Sequence, residues 1–216
     1  MQPFFDGSEN AYQLYRSAVT IKRMDPSLVR YVFLDRDGVL NRKMPEGAYV
    51  TEWTQFEWLP GADEAIARMN RAGLKVILVS NQRGIALGLL TDAQLELIHA
   101  NVRNHLARRG ARLDAIYYCP HDVGECQCRK PDIGLFEQAC KDFPHANAQN
   151  SVVIGDSFSD MQAGRRFGMK TIFLKGEADR QKAGAPAAAD SADAVADSLL
   201  QAVEVHLGLT AATADS

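Results

Sequence analysis

The segment Phe33-Leu34-Asp35-Arg36-Asp37-Gly38-Val39 constrains this chain more than any other. A short apolar run ends in two carboxylates one residue apart, and a glycine follows. That pattern predicts a buried parallel strand that stops where its loop begins. Open α/β sheets carry their ligands at the carboxyl ends of strands. Two aspartates at such an edge can hold a hard divalent cation, and one of them can attack an electrophile. The string D-x-D-G also fits a solvated turn, so its meaning depends on what the rest of the chain brings to it.

An alternating pattern follows. Strands are expected at Tyr31–Asp35, Lys75–Ser80, Ala115–Cys119, Ser151–Ile154 and Lys170–Leu174. Pro60-Gly61 opens a helix with Ala62, Ala65, Ile66 and Met69 on one face, closed by Gly73. Thr91 with Gln94 makes a capping box for a long helix whose inner face is Leu95, Ile98, Val102 and Leu106. Leu135, Phe136, Ala139, Cys140 and Phe143 line another, and a fourth ends at Gly168. The fold class is therefore α/β, a Rossmann-like doubly wound parallel sheet with helices on both faces. Residues 1–30 form an N-terminal extension with a short amphipathic helix, and 31–208 the main domain. The Ala- and Gly-rich stretch Glu177–Asp190 is expected to be a mobile loop, followed by a last helix near Val195–Leu207. Residues 209–216 are expected to be a disordered tail.

Composition excludes several classes. The chain has 216 residues, 46% of them hydrophobic, which suits one globular domain with a sizeable core. Its formal charge of -3 gives no nucleic-acid footprint or membrane-seeking surface. No apolar run approaches the roughly 18 residues needed to span a bilayer. The first ten residues lack a basic region followed by an apolar one, so a cytoplasmic setting is expected. The partner expected is a small molecule, with no nucleic acid and no membrane, on a monomer or small homo-oligomer.

The polar residues gather at the predicted strand ends. Strand one ends in Asp35-x-Asp37 and strand two in Ser80-Asn81-Gln82-Arg83-Gly84. Cys128-Arg129-Lys130-Pro131 precedes strand four, which ends in Gly155-Asp156-Ser157-Phe158-Ser159-Asp160. A parallel sheet brings these segments to one rim. A carboxylate nucleophile needs a cation to hold it and to neutralise its electrophile, and a phosphoryl group meets that description. Asp35 and Asp156 would ligate Mg²⁺, Asp37 would handle protons, and Ser80 and Lys130 would grip the phosphoryl oxygens. A second constellation is Cys119-Pro-His121, four residues, then Cys126-Gln-Cys128. Three thiolates and an imidazole make a closed tetrahedral set for a structural Zn²⁺. That ion would pin the loop that presents Arg129 and Lys130.

The ordered set Asp35-Arg-Asp37-Gly, Ser80, Lys130 and Gly155-Asp156-x-x-x-Asp160 resembles the haloacid dehalogenase superfamily of phosphatases over roughly residues 31–175. The resemblance implies a phospho-aspartyl intermediate on Asp35 and general acid/base work by Asp37. It also implies metal ligation by both, Asp37 through its backbone carbonyl, and a supporting role for Asp160. The strings Y-Y-C-P-H and C-x-C-R-K-P, with L-D-R-D-G-V-L-N and S-N-Q-x-G-I, narrow it to the capless, zinc-bearing group. That group acts on D-glycero-D-manno-heptose 1,7-bisphosphate, from which the 7-phosphate is removed, or on histidinol phosphate. By the same resemblance Ser80, Asn81, Gln82 and Arg83 form a substrate-contacting loop, Arg129 recognises the sugar phosphate, and Tyr49 lines the mouth. The chain departs from the group at Ser157, where lysine is common, in the altered loop Asn81–Gly88, and in the longer loop Asn41–Tyr49. A zinc-stabilised binding module without catalysis is the contrasting possibility, and the presence of Asp35, Asp37, Lys130 and Asp156 together argues against it.

Overall fold

A computed structural model describes residues 25–181 and 184–210 of the chain. The six strands are β1 (Tyr31–Leu34), β2 (Lys75–Asn81), β3 (Ala115–Cys119), β4 (Ser151–Gly155), β5 (Lys170–Leu174) and β6 (Ala194–Ala196). They form one sheet in the order β3-β2-β1-β4-β5-β6, and every neighbouring pair is parallel. The principal helices are α1 (Ala62–Arg71), α2 (Asp92–Arg108), α3 (Gly134–Asp142), α4 (Phe158–Phe167) and α5 (Ala185–Ser191). A last turn, α6 (Leu199–Gln201), runs on as π-helix through Ala202–His206.

Side-chain alternation along the strands builds a core on each face. Val32 and Leu34 of β1 join Val76, Leu78, Val152 and Ile154 on one side, where α1, α2 and the segment after α6 cover them. Phe33 points the other way, with Ile77, Val79 and Val153, beneath Leu135, Phe136 and Ala139 of α3 and Ala163 of α4. Both faces are covered, which is why these strands are nearly continuous apolar runs. No second domain covers the carboxyl rim among the described residues.

Helix ends follow local chemistry. The Thr91–Gln94 capping box starts α2, and Ser157 makes an equivalent box with Asp160 at α4. Gly168 ends α4 in the left-handed region at φ +88°. Phe143 falls just beyond α3, as its C-cap.

Three expectations need correction or restriction. The segment Glu177–Asp190 is not all loop: it holds a short 3-10 turn, Ala178–Arg180, and α5. Alanine favours helix, and Pro186 sits in the first turn, where its missing N–H costs nothing. The final helix does not start at Val195, because Ala194–Ala196 adds a sixth strand beside β5. The expected N-terminal helix and most of the tail lie outside the described residues; of the tail, Leu209 packs on the core and donates its N–H to the Val203 carbonyl.

Candidate active site

The strand order reverses at β1, which has β2 on one side and β4 on the other. That switch point opens a crevice at the carboxyl edge. Asp35 follows β1 directly and prolongs its ladder, its N–H bonding the Ile154 carbonyl at 3.1 Å. Asp156 follows β4, and oxygens of Asp35, Asp156 and Asp160 lie within 4.8 Å of one another. Gly38 lets the chain turn this closely. Its φ is +87°, and a Cβ there would overlap the Asp156 carboxylate.

Lys130 is the central cation. Its Nζ lies 3.0 Å from Asp35 Oδ1 and 2.6 Å from Asp160 Oδ1, and donates to the Val79 carbonyl at 2.7 Å. Burial opposes its charge, but Asp160 and Asp35 outweigh that and raise its pKa, so it stays protonated. Asp160 is itself fixed by the Ser157 cap, whose Oγ donates to Oδ2 at 2.6 Å. It therefore props Lys130 from behind.

The carboxylates are shifted in opposite directions. Burial and the neighbouring carboxylates raise the pKa of Asp35, against the pull of Lys130. Asp156 is pushed up to about 7, first by burial and then by Asp35 and Asp160, although Lys43 opposes this. Asp156 Oδ1 is buried without a hydrogen-bond partner among the described residues. Crowded, under-compensated acids of this kind suit a hard divalent cation, so the donor set fits Mg²⁺. Asp37 is the opposite case. Burial raises its pKa, but the Arg36 guanidinium, with amide donors from Asn41 and Gln82, brings it below the ordinary value. Arg36 Nη2 reaches both Asp37 oxygens, at 2.9 and 2.8 Å, and is buried beneath them.

The Cys119, His121, Cys126 and Cys128 ligand atoms form a second cluster at the end of β3. Sulfur–sulfur separations are 3.5 Å for Cys119–Cys126 and 3.2 Å for Cys126–Cys128. His121 Nδ1 lies 3.6 Å from Cys119 Sγ and 3.4 Å from Cys128 Sγ. Zinc bonds of about 2.0–2.3 Å place tetrahedral ligand atoms roughly 3.3–3.8 Å apart, so the histidine–sulfur distances match that ion and the sulfur pairs lie somewhat closer than it would hold them.

The proposed substrate contacts divide. Ser80 is fully buried under Gln82, whose Nε2 donates to Ser80 Oγ at 3.1 Å and to Asp37 Oδ2 at 3.3 Å. Gln82 is only 2% exposed and orders the floor of the crevice. Asn81 is also turned inward: its amide bonds both the N–H and the carbonyl of Lys130. Both amides are spent on the protein itself here, as side chains at the end of a buried strand satisfy the polar groups around them first. Arg83 forks onto Asp122 at 2.5 and 3.1 Å, which ties the loop after β2 to the cysteine loop after β3. Tyr49 packs beside Gly84 at this wall. Arg129 is half-buried, with Nη1 3.4 Å from the His121 carbonyl.

Three site residues escaped sequence reasoning. Arg36 was visible as the residue between the two aspartates, but its fork onto Asp37 was not. Asn41 donates to Asp37 Oδ1 at 2.9 Å. Lys43, 113 positions from Asp156 in the chain, pairs through Nζ with Asp156 Oδ2; only its place in an unusually long loop hinted at a role.

Residues 127–202 match the HAD-hydrolase-like family model. A D-glycero-alpha-D-manno-heptose-1,7-bisphosphate 7-phosphatase of Mycobacterium bovis is 39% identical over 132 residues, 61% of this chain and 69% of that one. The D-glycero-beta-D-manno-heptose-1,7-bisphosphate 7-phosphatase of Escherichia coli K12 is 37% identical over 178 residues, covering 78% of this chain and 88% of the relative. Among solved structures, D,D-heptose 1,7-bisphosphate phosphatase from B. bronchiseptica, complexed with magnesium and phosphate, superposes with a TM-score of 0.75 at 31% identity. The match covers 84% of this chain and 100% of that one.

Proposed function

Because the chain belongs to the haloacid dehalogenase-like phosphatases, we propose that it removes the 7-phosphate of D-glycero-D-manno-heptose 1,7-bisphosphate through a phospho-aspartyl intermediate on Asp35. The observation that carries the chemistry is the seat of Asp35. It lies in the switch-point crevice, 3.0 Å from Lys130 Nζ and within ligand range of Asp156. The names of the relatives above support the substrate; histidinol phosphate, or another small phosphomonoester, is the alternative.

In the first half-reaction an Asp35 oxygen attacks phosphorus, the bond to the sugar oxygen breaks, and the phosphoryl group passes to the carboxylate. Lys130 would meet the non-bridging oxygens, where charge builds in the transition state, and the Ser80 hydroxyl, whose own proton the Gln82 bond leaves free, would donate to them from the floor once Gln82 turns aside. Asp37 gives the leaving sugar oxygen its proton and takes one from the attacking water in the second half. Arg36 holds Asp37 ionised, which suits the second task. It makes the protonated form needed first a minority state, so the first half should respond to changes at Arg36. Asp35, Asp156 and the Asp37 carbonyl would hold Mg²⁺, which supplies charge neutralisation for the phosphoryl oxygens. The cysteine–histidine set would hold a structural Zn²⁺ with no open position. Three reduced thiols at one site suit a reducing, cytoplasmic compartment. Residues 31–208 would form the single catalytic domain.

The test is phosphate release from the heptose bisphosphate and from histidinol phosphate, with and without Mg²⁺. The highest kcat/KM is expected on the bisphosphate with Mg²⁺, and none with a folded Asp35→Asn protein. A higher kcat/KM on histidinol phosphate would transfer the assignment to that substrate.

A further inference from the structure

On the side of Asp156 away from the zinc loop, two segments meet. One is the loop after β1, with Arg42 and Lys43; the other follows β5, with Lys175, Glu177 and Arg180. They are stitched together. Arg42 Nη2 pairs with Glu177 at 2.7 Å, and Arg180 Nη1 approaches the Lys43 carbonyl at 3.4 Å. Gln181 Nε2 donates to the Lys175 carbonyl at 2.9 Å. Between them a shallow cleft, open to solvent, is lined by Gly38 and Asp156 and by Lys43, Lys175 and Arg180. A second cleft shares Lys43 and Arg180 with it.

Charge in the cleft is unbalanced. Three cations line it against Asp156 and Glu177. Glu177 already accepts from Arg42, and a divalent cation on Asp156 would leave the Lys43 ammonium without its carboxylate. The remaining partners, Asp197 for Lys175 and Asp179 for Arg180, are surface ion pairs, which give way at little cost.

We propose that this cleft is the seat for the second phosphate of a sugar bisphosphate, the one that is not hydrolysed, held by Lys43, Arg180 and Lys175. The proposal rests on the bisphosphatase reading above and says which wall reads the substrate's far end. A guanidinium and two ammonium groups around one opening match a phosphate dianion, and the bond to the Lys43 carbonyl holds the guanidinium in place beforehand.

Binding of heptose 1,7-bisphosphate and heptose 7-phosphate to Asp35→Asn protein with Mg²⁺, followed by calorimetry, tests it. The parent is expected to prefer the bisphosphate by about tenfold or more, the worth of one or two charge-assisted contacts. Arg180→Gln and Lys43→Gln, each added to it, should bring that ratio close to one, with Arg180→Gln leaving the monophosphate Kd within about twofold. A parent without preference would overturn the bisphosphate reading and the seat together. A parent with preference that both variants keep would overturn the seat alone. So would a ratio that collapses only with Arg129→Ala, or variants that weaken both ligands equally.

Discussion

Asn81 grips Lys130 by both sides of its backbone. The Asn81 Oδ1 accepts the Lys130 N–H at 3.0 Å, and its Nδ2 donates to the Lys130 carbonyl at 2.9 Å. Asn81 is the last residue of β2 and lies in register with Cys119, the last of β3. The lysine that faces Asp35 is thus held to the sheet by one amide and to the cysteine cluster by two residues of chain.

Asn81→Ala should therefore lower kcat while leaving KM nearly unchanged. A displacement of about 1 Å at a catalytic group costs on the order of 10²-fold, and the loss should fall short of that from Lys130→Ala. Steady-state kinetics of both variants on the best substrate decide. A change confined to KM in Asn81→Ala would place the side chain on the substrate instead.

Cys128→Ser should act on the same lysine through the metal loop. Protein purified without chelator is expected to carry about one zinc per chain, and the variant less. Loss of a supporting metal contact typically costs about 10–100-fold, here in kcat, together with a lower Tm. Elemental analysis beside turnover measurements checks this. Zinc-free wild-type protein with full activity would remove the ion from the account.

Gly38→Ala should disable the site without unfolding the domain. A Cβ would press on the Asp156 carboxylate, and the left-handed backbone costs a non-glycine residue about 1–2 kcal/mol. Activity should fall by about 10²-fold or more, and Mg²⁺ affinity with it. Calorimetric Mg²⁺ titration of the variant gives the second readout; unchanged affinity and turnover would show that the turn has room to spare.

His99 should make the protein acid-sensitive. It is fully buried on α2, stacked obliquely on Tyr118, with Glu96 3.5 Å from Nδ1. Its pKa is pushed down to about 3, first by burial and then by Arg36 and Arg103, with Asp37 opposing. The native state then holds fewer protons than the unfolded chain between pH 6.5 and about 3. Stability is full above that window and falls with pH through it, by up to about 1.4 kcal/mol per unit. Denaturant melts of wild type and His99→Leu across pH 7 to 4 should show the steeper loss in wild type. Parallel slopes would mean the ring titrates normally.

What the sequence discloses here depends on how local the signal is. β1 to β5 are apolar runs buried on both faces, and Asp35, Asp156 and the cysteine spacing are chemistry placed at strand ends, so all were legible. β6 has only Ala-Val-Ala at the sheet edge, too short and too weakly apolar to declare itself. α5 was hidden by an alanine- and glycine-rich composition taken for a loop. The roles of Asn81, Gln82 and Lys43 are different again: each depends on partners supplied by folding, and the same amide or ammonium would serve equally well at a substrate.

The cysteine cluster also bears on how such a site can change over generations. Val123 is 70% exposed, and the stretch Asp122–Glu125 adds no residue to either main core cluster. With an ion on the four side chains the loop's path would be fixed, and beyond Asp122, which anchors Arg83, its tip would be released from any duty to fold. Insertions and exchanges there can reshape the mouth while Lys130 stays where it is. A capless enzyme of this build has a place to vary its selectivity that is mechanically insulated from its chemistry.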